Sequence, residues 1–189
     1  MSAQRLVATP GQTIGPFFGF ALPYEGGDQL VQLEHPDAVR LTGLVLDGDG
    51  HPVPDAMIEI WQPDAHGRIE PRPGSLRRDG YAFTGWGRAA TDITGRYAFT
   101  TVRPGPTNEG KLPFFAITVF ARGLTNRLFT RAYLPASSDA IATDRLLGSL
   151  PEDRRRTLIA TEDGSELRFN VRLQGEEETV FLAFPGEAP

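Results

Sequence analysis

Three histidines, His35, His51 and His66, are the only imidazoles in the chain. Imidazole is the side chain best suited to move protons or hold metal near neutral pH. Each of them stands in turn-forming sequence: His35 beside Pro36, His51 in DGDGHPVPDA, His66 in PDAHG. No pair has the two- or four-residue spacing that puts two imidazoles on one metal. His66 therefore reads as a loop histidine without a near partner, and His35 as an exposed residue of an acidic loop. Tyr24, Tyr81, Tyr97 and Tyr133 can in principle ligate a ferric ion, but a tyrosinate site for oxygen chemistry also calls for imidazoles nearby. Asp47, Asp49 and Gly50 begin like a calcium loop, yet the other oxygen ligands and the distal glutamate are missing, and turn chemistry accounts for them. No serine sits in a nucleophile elbow, and no phosphate-cradling glycine loop precedes a helix. The acidic run QGEEE reads as a solvated turn. Chemistry alone leaves a domain with no self-sufficient active site.

The elements that must carry any site are read from alternation. KLPFFAITVFARGLTNRLFTRAYL, Lys111 to Leu134, reads as two strands around a turn at Gly123 to Asn126. Phe114, Ala116, Thr118 and Phe120 share one face of the first strand, and Phe115, Ile117, Val119 and Ala121 the other. Both faces are largely apolar, which predicts a strand covered on both sides. Further strands are expected at Val39–Leu46, Met57–Gln62, Arg96–Val102, Glu166–Leu173 and Thr179–Phe184. Gly67 to Gly87 reads as a long surface loop whose Tyr81, Phe83 and Trp86 dock on the body. A turn or two of helix is expected around Asp144–Leu147. Ser149-Leu-Pro-Glu152 predicts a capped start for a short helix from Pro151 to about Ile159. Seven or eight short strands predict an all-β, antiparallel β-sandwich with long loops and one short helix. Residues 1–38 form an N-terminal arm and residues 39–189 the sandwich. TPGQTIGP is followed at once by Phe17, Phe18 and Phe20, which must pack either on this chain or on another.

Composition narrows the partners. A net charge of −5 argues against nucleic acid, because phosphate binding needs a basic surface. The absence of cysteine excludes disulfides and thiolate zinc sites and fits a reducing cytoplasm, the expected compartment. MSAQRLVATPGQT lacks the apolar core of a signal peptide, and no apolar run approaches the ~20 residues needed to cross a bilayer.

Four strings then accumulate: LTGLVLDGDGHPVPDAMIEIWQPDAHGR, GWGRAATDITGRYAFTTVRPG, ITVFARGLTNRLFTRAYL and RFNVRLQGEEETVFLAF. Together they resemble the intradiol ring-cleaving dioxygenases over nearly all of Thr9 to Phe184. The arm TPGQTIGPFF and the tail QGEEETVFLAF resemble the non-catalytic chain of its two-chain members. In that family the catalytic (beta) chain holds ferric iron through two tyrosines and two histidines, in Gly-Arg-Tyr, Pro-Gly-x-Tyr and Pro-Ala-His-Ile-His. Here the first two strings are Gly67-Arg68-Ile69 and Pro104-Gly105-Pro106-Thr107. The histidine positions fall on Phe114 and Ala116 or, anchored on Pro113, on Phe115 and Ile117. In neither register does a nitrogen ligand remain. The resemblance thus implies no metal and no catalytic residue on this chain, with Fe(III) held by a beta subunit partner.

It further implies a hetero-oligomer of alpha/beta pairs. The arm residues Thr13, Gly15 and Pro16 would line the partner's substrate cavity. Arg131 would stand at the shared interface or, alternatively, pair with a carboxylate in its own sheet. Phe17, Phe18 and Phe20 would be partner-facing anchors. The substrates would be a small aromatic compound, protocatechuate, and O2, giving 3-carboxy-cis,cis-muconate in the β-ketoadipate route. A homomeric catechol enzyme would need the missing ligands. A non-enzymatic, prealbumin-like β-sandwich binding module is the alternative, since the first two strings also occur in such modules.

Overall fold

The computed structural model describes residue 15, residues 18–69 and residues 82–184. Nine strands are formed: β1 Ala38–Leu46, β2 Met57–Trp61, β3 Trp86–Ala90, β4 Arg96–Val102, β5 Phe114–Phe120, β6 Leu128–Tyr133, β7 Thr161–Asp163, β8 Glu166–Arg168 and β9 Val171–Arg172. They make two sheets, one ordered β4-β1-β8-β7 with β9 also on β1, the other β3-β2-β5-β6. The expected all-β sandwich is therefore present. Leu41, Val45, Tyr97 and Phe99 of the first sheet meet Ile58, Ile60, Phe115, Ile117 and Val119 of the second, all at most 2% exposed. Burying each such side chain stabilises the fold by about 1.5–3 kcal/mol, and this layer is what fixes strand register.

Antiparallel pairing has one exception. The expected closing strand Glu166–Leu173 is split into β8 and β9, and both run parallel to β1. The interruption falls at Phe169-Asn170, where Phe169 crosses directly over Gly43. A Cβ on Gly43 would lie 1.8 Å from the Phe169 carbonyl oxygen, so only glycine permits the crossing. The Phe169 carbonyl accepts the buried Tyr97 hydroxyl at 2.6 Å. Asn170 replaces the missing ladder bond, its Oδ1 accepting from the Leu44 N–H at 3.0 Å.

Other expectations need correction. β3 begins at the end of what read as loop and runs on through residues given no element, because Gly87 and Ala89 give no β signal, and Gly87 packs where a Cβ would meet Leu30 at 2.5 Å. The three residues of β7 are too few to show alternation. Thr179–Phe184 forms no strand; it follows β9 and β6 through single bonds, Thr179 N–H to Arg172 O and Leu182 N–H to Phe129 O. The first of the late helices is α2, Ser138–Thr143, capped by Ser137, and Asp144 ends it. A helix α3 follows at Glu152–Arg156 without the expected capping box: Pro151 is the cap residue, and the Ser149 hydroxyl donates to Leu146 O instead.

Part of the N-terminal arm is described. Helix α1, Phe18–Ala21, lies on the outside of the second sheet. Phe18 is buried against Phe120 and Tyr24 stacks on Trp86 at 6.0 Å, while the Leu30 N–H binds Thr100 O at 2.8 Å. Phe18 is thus an anchor on its own sheet. Thr13, Pro16, Phe17 and Tyr81 lie outside the described residues.

Candidate functional site

Alternation along β5 decides what faces the site. Phe115, Ile117, Val119 and Ala121 point into the core, while Phe114, Ala116, Thr118 and Phe120 are only half-buried on the outer face. The strand is therefore fully covered on one side only, a correction to the expected cover on both. Of the two registers open for the lost histidines, Phe114/Ala116 faces outward and Phe115/Ile117 is core. Phe114 belongs to the wall of an open cavity of about 580 Å3. Ala116 lies opposite Arg131 on β6 and opposite Trp61 on β2.

The two loops that carry tyrosine in the family's catalytic pattern are still locked together. Asp64 builds the first of them. Its Oδ1 accepts the N–H groups of His66 and Arg68, both at 2.9 Å, and its Oδ2 accepts Arg68 Nε at 2.8 Å. Partial burial pulls the Asp64 carboxyl upward, but these Arg68 and His66 bonds outweigh it and hold the group below its ordinary range. The Gly105 N–H then reaches back to Asp64 O at 2.8 Å. Gly67, at φ +79°, passes so close to Pro106 that a Cβ would lie 1.9 Å from its carbonyl oxygen. This docking holds Ile69 and Thr107 in fixed, exposed loops, Ile69 at 70% exposure and Thr107 on the cavity rim.

Arg131 is held from two sides in the cavity. Its Nη1 donates to the Tyr133 hydroxyl at 3.0 Å, and its guanidinium carbon lies 4.3 Å from the centre of the Phe114 ring. No carboxylate is paired with it among the described residues. Tyr133 is 1% exposed. Burial pushes its hydroxyl above the usual tyrosine range, Arg131 opposes that shift, and Asp144 adds to it. Asp144, Arg145 and Lys111 also line the cavity. Sequence reasoning passed over them because none sits at an informative spacing.

The donor set does not fit a ferric ion. Isoleucine, threonine, phenylalanine and alanine offer one hydroxyl between them, where such an ion takes imidazole and phenolate. No three His, Cys, Asp or Glu side chains converge on a metal-sized point among the described residues. His35 and His66 do share a second, open cavity of about 440 Å3 with Asp37 and Asp64, without converging.

A family model described as dioxygenase matches residues 15–175. The protocatechuate 3,4-dioxygenase alpha chain of Burkholderia cepacia is 38% identical over 94% of this chain and 98% of its own length. The alpha chain from Pseudomonas putida is also 38% identical, over 97% of this chain and its full length. The beta chain from Burkholderia cepacia is 32% identical over 76% of this chain and 67% of its own. Among solved structures, the dioxygenase domain of a carbohydrate-binding fusion protein from Streptomyces sp. SirexAA-E superposes with a TM-score of 0.57 at 22% identity, covering 88% of this chain and 98% of that one. Catechol 1,2-dioxygenase from Acinetobacter sp. ADP1 gives 0.54 at 20% identity, over 76% of this chain and 55% of that one. These likenesses carry the fold, and the alpha-chain matches carry the rest: the chain belongs to the dioxygenase family.

Proposed function

We propose that this chain is the alpha subunit of a protocatechuate 3,4-dioxygenase, a structural partner for a beta subunit that carries the iron. One observation carries the reading. The two loops dock on each other and β5 forms beside a cavity, while the residues that the family pattern points to are Ile69, Thr107 and either Phe114 with Ala116 or Phe115 with Ile117, none of them an iron ligand of the family's kind. A fold retained around an emptied site is a scaffold for something else. Two full-length relatives named as alpha chains, and a more distant one named as a beta chain, support the pairing.

In the assembled enzyme the beta chain's Fe(III) would activate the bound catecholate, so that both atoms of O2 enter between the hydroxyl-bearing carbons. The product would be 3-carboxy-cis,cis-muconate. Thr13, Gly15 and Pro16 of the arm would line the partner's substrate cavity. Gly15 supports this, since it is exposed and no described residue lies within 4 Å of where a Cβ would be. Arg131 lines the open cavity, where a partner can also approach. The outer face of β2 and β5, with Trp61 45% exposed beside half-buried Ala116 and Thr118, offers an apolar docking area. The complex would work in the cytoplasm. No helix among the described residues is long and apolar enough to cross a membrane.

Co-expression tests the proposal. The chain purified alone should contain no stoichiometric iron and cleave no protocatechuate, and both should appear when a beta chain is expressed with it. Ring cleavage by the isolated chain would overturn the assignment.

A further inference from the structure

We propose that Glu59 and Arg88 are positioning residues: they hold the root of the N-terminal arm and so aim its tip at the partner's substrate cavity. The inference rests on the alpha-subunit reading and adds to it which of this chain's own residues set the placement of the arm. Glu59 on β2 and Arg88 on β3 stand directly opposite each other, on the outer face of the second sheet. Each is only 15% exposed, and an ion pair so covered gains little over an apolar pair of the same size. Stability of the sheet therefore does not account for the pair, whereas its direction does. Arg88 Nε and Nη2 both donate to Glu59 Oε1, at 2.9 and 2.6 Å, which turns Nη1 toward the arm, where it donates to Leu22 O at 2.7 Å. Leu22 directly follows α1, at the end where a helix leaves its carbonyls without partners. A rigid guanidinium fork serves both acceptors at once, which the point charge of a lysine does not.

The same strand grips the arm again downstream. The Arg88 N–H donates to Gly27 O at 2.7 Å, and Gly27 passes so close that a Cβ would lie 2.8 Å from Arg88 O. Tyr24 stacks on Trp86, and the Arg88 guanidinium carbon lies 5.0 Å from the centre of a Trp86 ring. Upstream, Phe18 is buried against Phe120. Helix α1 is thus fixed by a ring at one end and by a guanidinium at the other, and Gly15 stands shortly before it. A root held in this way restricts where the tip can go and lowers the ordering cost of seating it in a partner. Without the Leu22 bond the arm would stay tied through the Leu30 N–H to Thr100 O, but α1 would be free to pivot.

The paired substitution Glu59→Met with Arg88→Met tests this, because it removes the Leu22 bond and leaves an apolar pair in the sheet. In the chain alone, hydrogen exchange at the Leu22 amide should quicken about tenfold while the amides of β5 exchange as before. In the complex with a beta chain, KM for protocatechuate should rise about threefold to tenfold with kcat nearly unchanged, because a wall of the cavity contacts substrate and transition state alike. A pair with a merely structural role would leave KM where it was. Should the paired variant fail to fold, Tyr24→Leu, which loosens the same root at its stack on Trp86, should raise KM about twofold. Unchanged exchange at Leu22, or an unchanged KM in every variant that folds, would overturn the positioning role alone. A parent complex that cleaves no protocatechuate would overturn the subunit reading and this role with it, so the parent's own activity tells the two failures apart.

Discussion

The two faces of β5 have similar composition and different work. Inward, Phe115, Ile117 and Val119 are at most 2% exposed and close the layer between the sheets. Outward, Phe114, Ala116 and Thr118 are half-buried, and Phe114 stands in the wall of the open cavity. The comparison teaches where a strand's side chains can change without loss of the fold. The outer face is the one the core does not use, so replacing its residues leaves the packing between the sheets intact.

The largest expected effect tests that separation directly. Phe115→Ala should destabilise the chain by about 3–5 kcal/mol in urea denaturation, because it leaves a cavity in a close-packed layer. Phe114→Ala should cost about 1 kcal/mol, the worth of its contacts with Arg131 and Tyr133. Equal losses for the two would break the comparison.

A second experiment asks whether the outer face can be given ligands again. The double substitution Phe114→His with Ala116→His places two imidazoles two residues apart on one side of a strand. That pair should bind nickel, and saturation at about 100 times the dissociation constant should raise stability by about 2.7 kcal/mol. The matched pair Phe115→His with Ile117→His should unfold the chain rather than bind metal, since it buries two imidazoles in the core. Nickel stabilisation of the second pair and not the first would reverse the assignment of faces.

A smaller effect probes the crossing of the last strands. Gly43→Ala forces a methyl group against the Phe169 carbonyl and should cost about 1–3 kcal/mol in the same denaturation assay. Tyr97→Phe removes only the hydroxyl that donates to that carbonyl and should cost about 1 kcal/mol.

Much of this was legible in the sequence, and the failures share a physical origin. Alternation in β5 and β6 gave the hairpin and its two faces, and the family strings gave Ile69 and Thr107 with two open registers for the lost histidines. Alternation cannot say which face is the core when both are apolar; that depends on the other sheet, and only the fold shows that Phe115 and Ile117 are core while Phe114 and Ala116 face outward. β3 escaped because its inward residues are Gly87 and Ala89, small for the sake of Leu30 and Phe99 packed on them. The break in the closing strand escaped because it is caused by Gly43, more than a hundred residues earlier. The cavity's charged wall escaped for the same reason, as Lys111, Arg131 and Asp144 meet only through tertiary structure.

The smallest expected effect separates two buried tyrosines, one on each side of the comparison. Tyr97 lies in the core with no charged neighbour, and burial alone raises its pKa well above the usual tyrosine range. Tyr133 lies at the cavity, where burial raises its pKa but Arg131 partly offsets the rise. In both, the folded chain holds the phenolic proton more tightly than the unfolded chain does. Their contribution is therefore intact below about pH 10 and is lost as pH rises above it, at no more than about 1.4 kcal/mol per pH unit for each proton. Urea denaturation at pH 8, 9.5 and 10.5 should show little change over the first interval and a decline over the second. Tyr97→Phe should remove more of that decline than Tyr133→Phe, because no cation in the core compensates a phenolate there. An equal contribution from the two would mean that Arg131 does not stabilise charge at the cavity, and the electrostatic contrast between the faces would be gone.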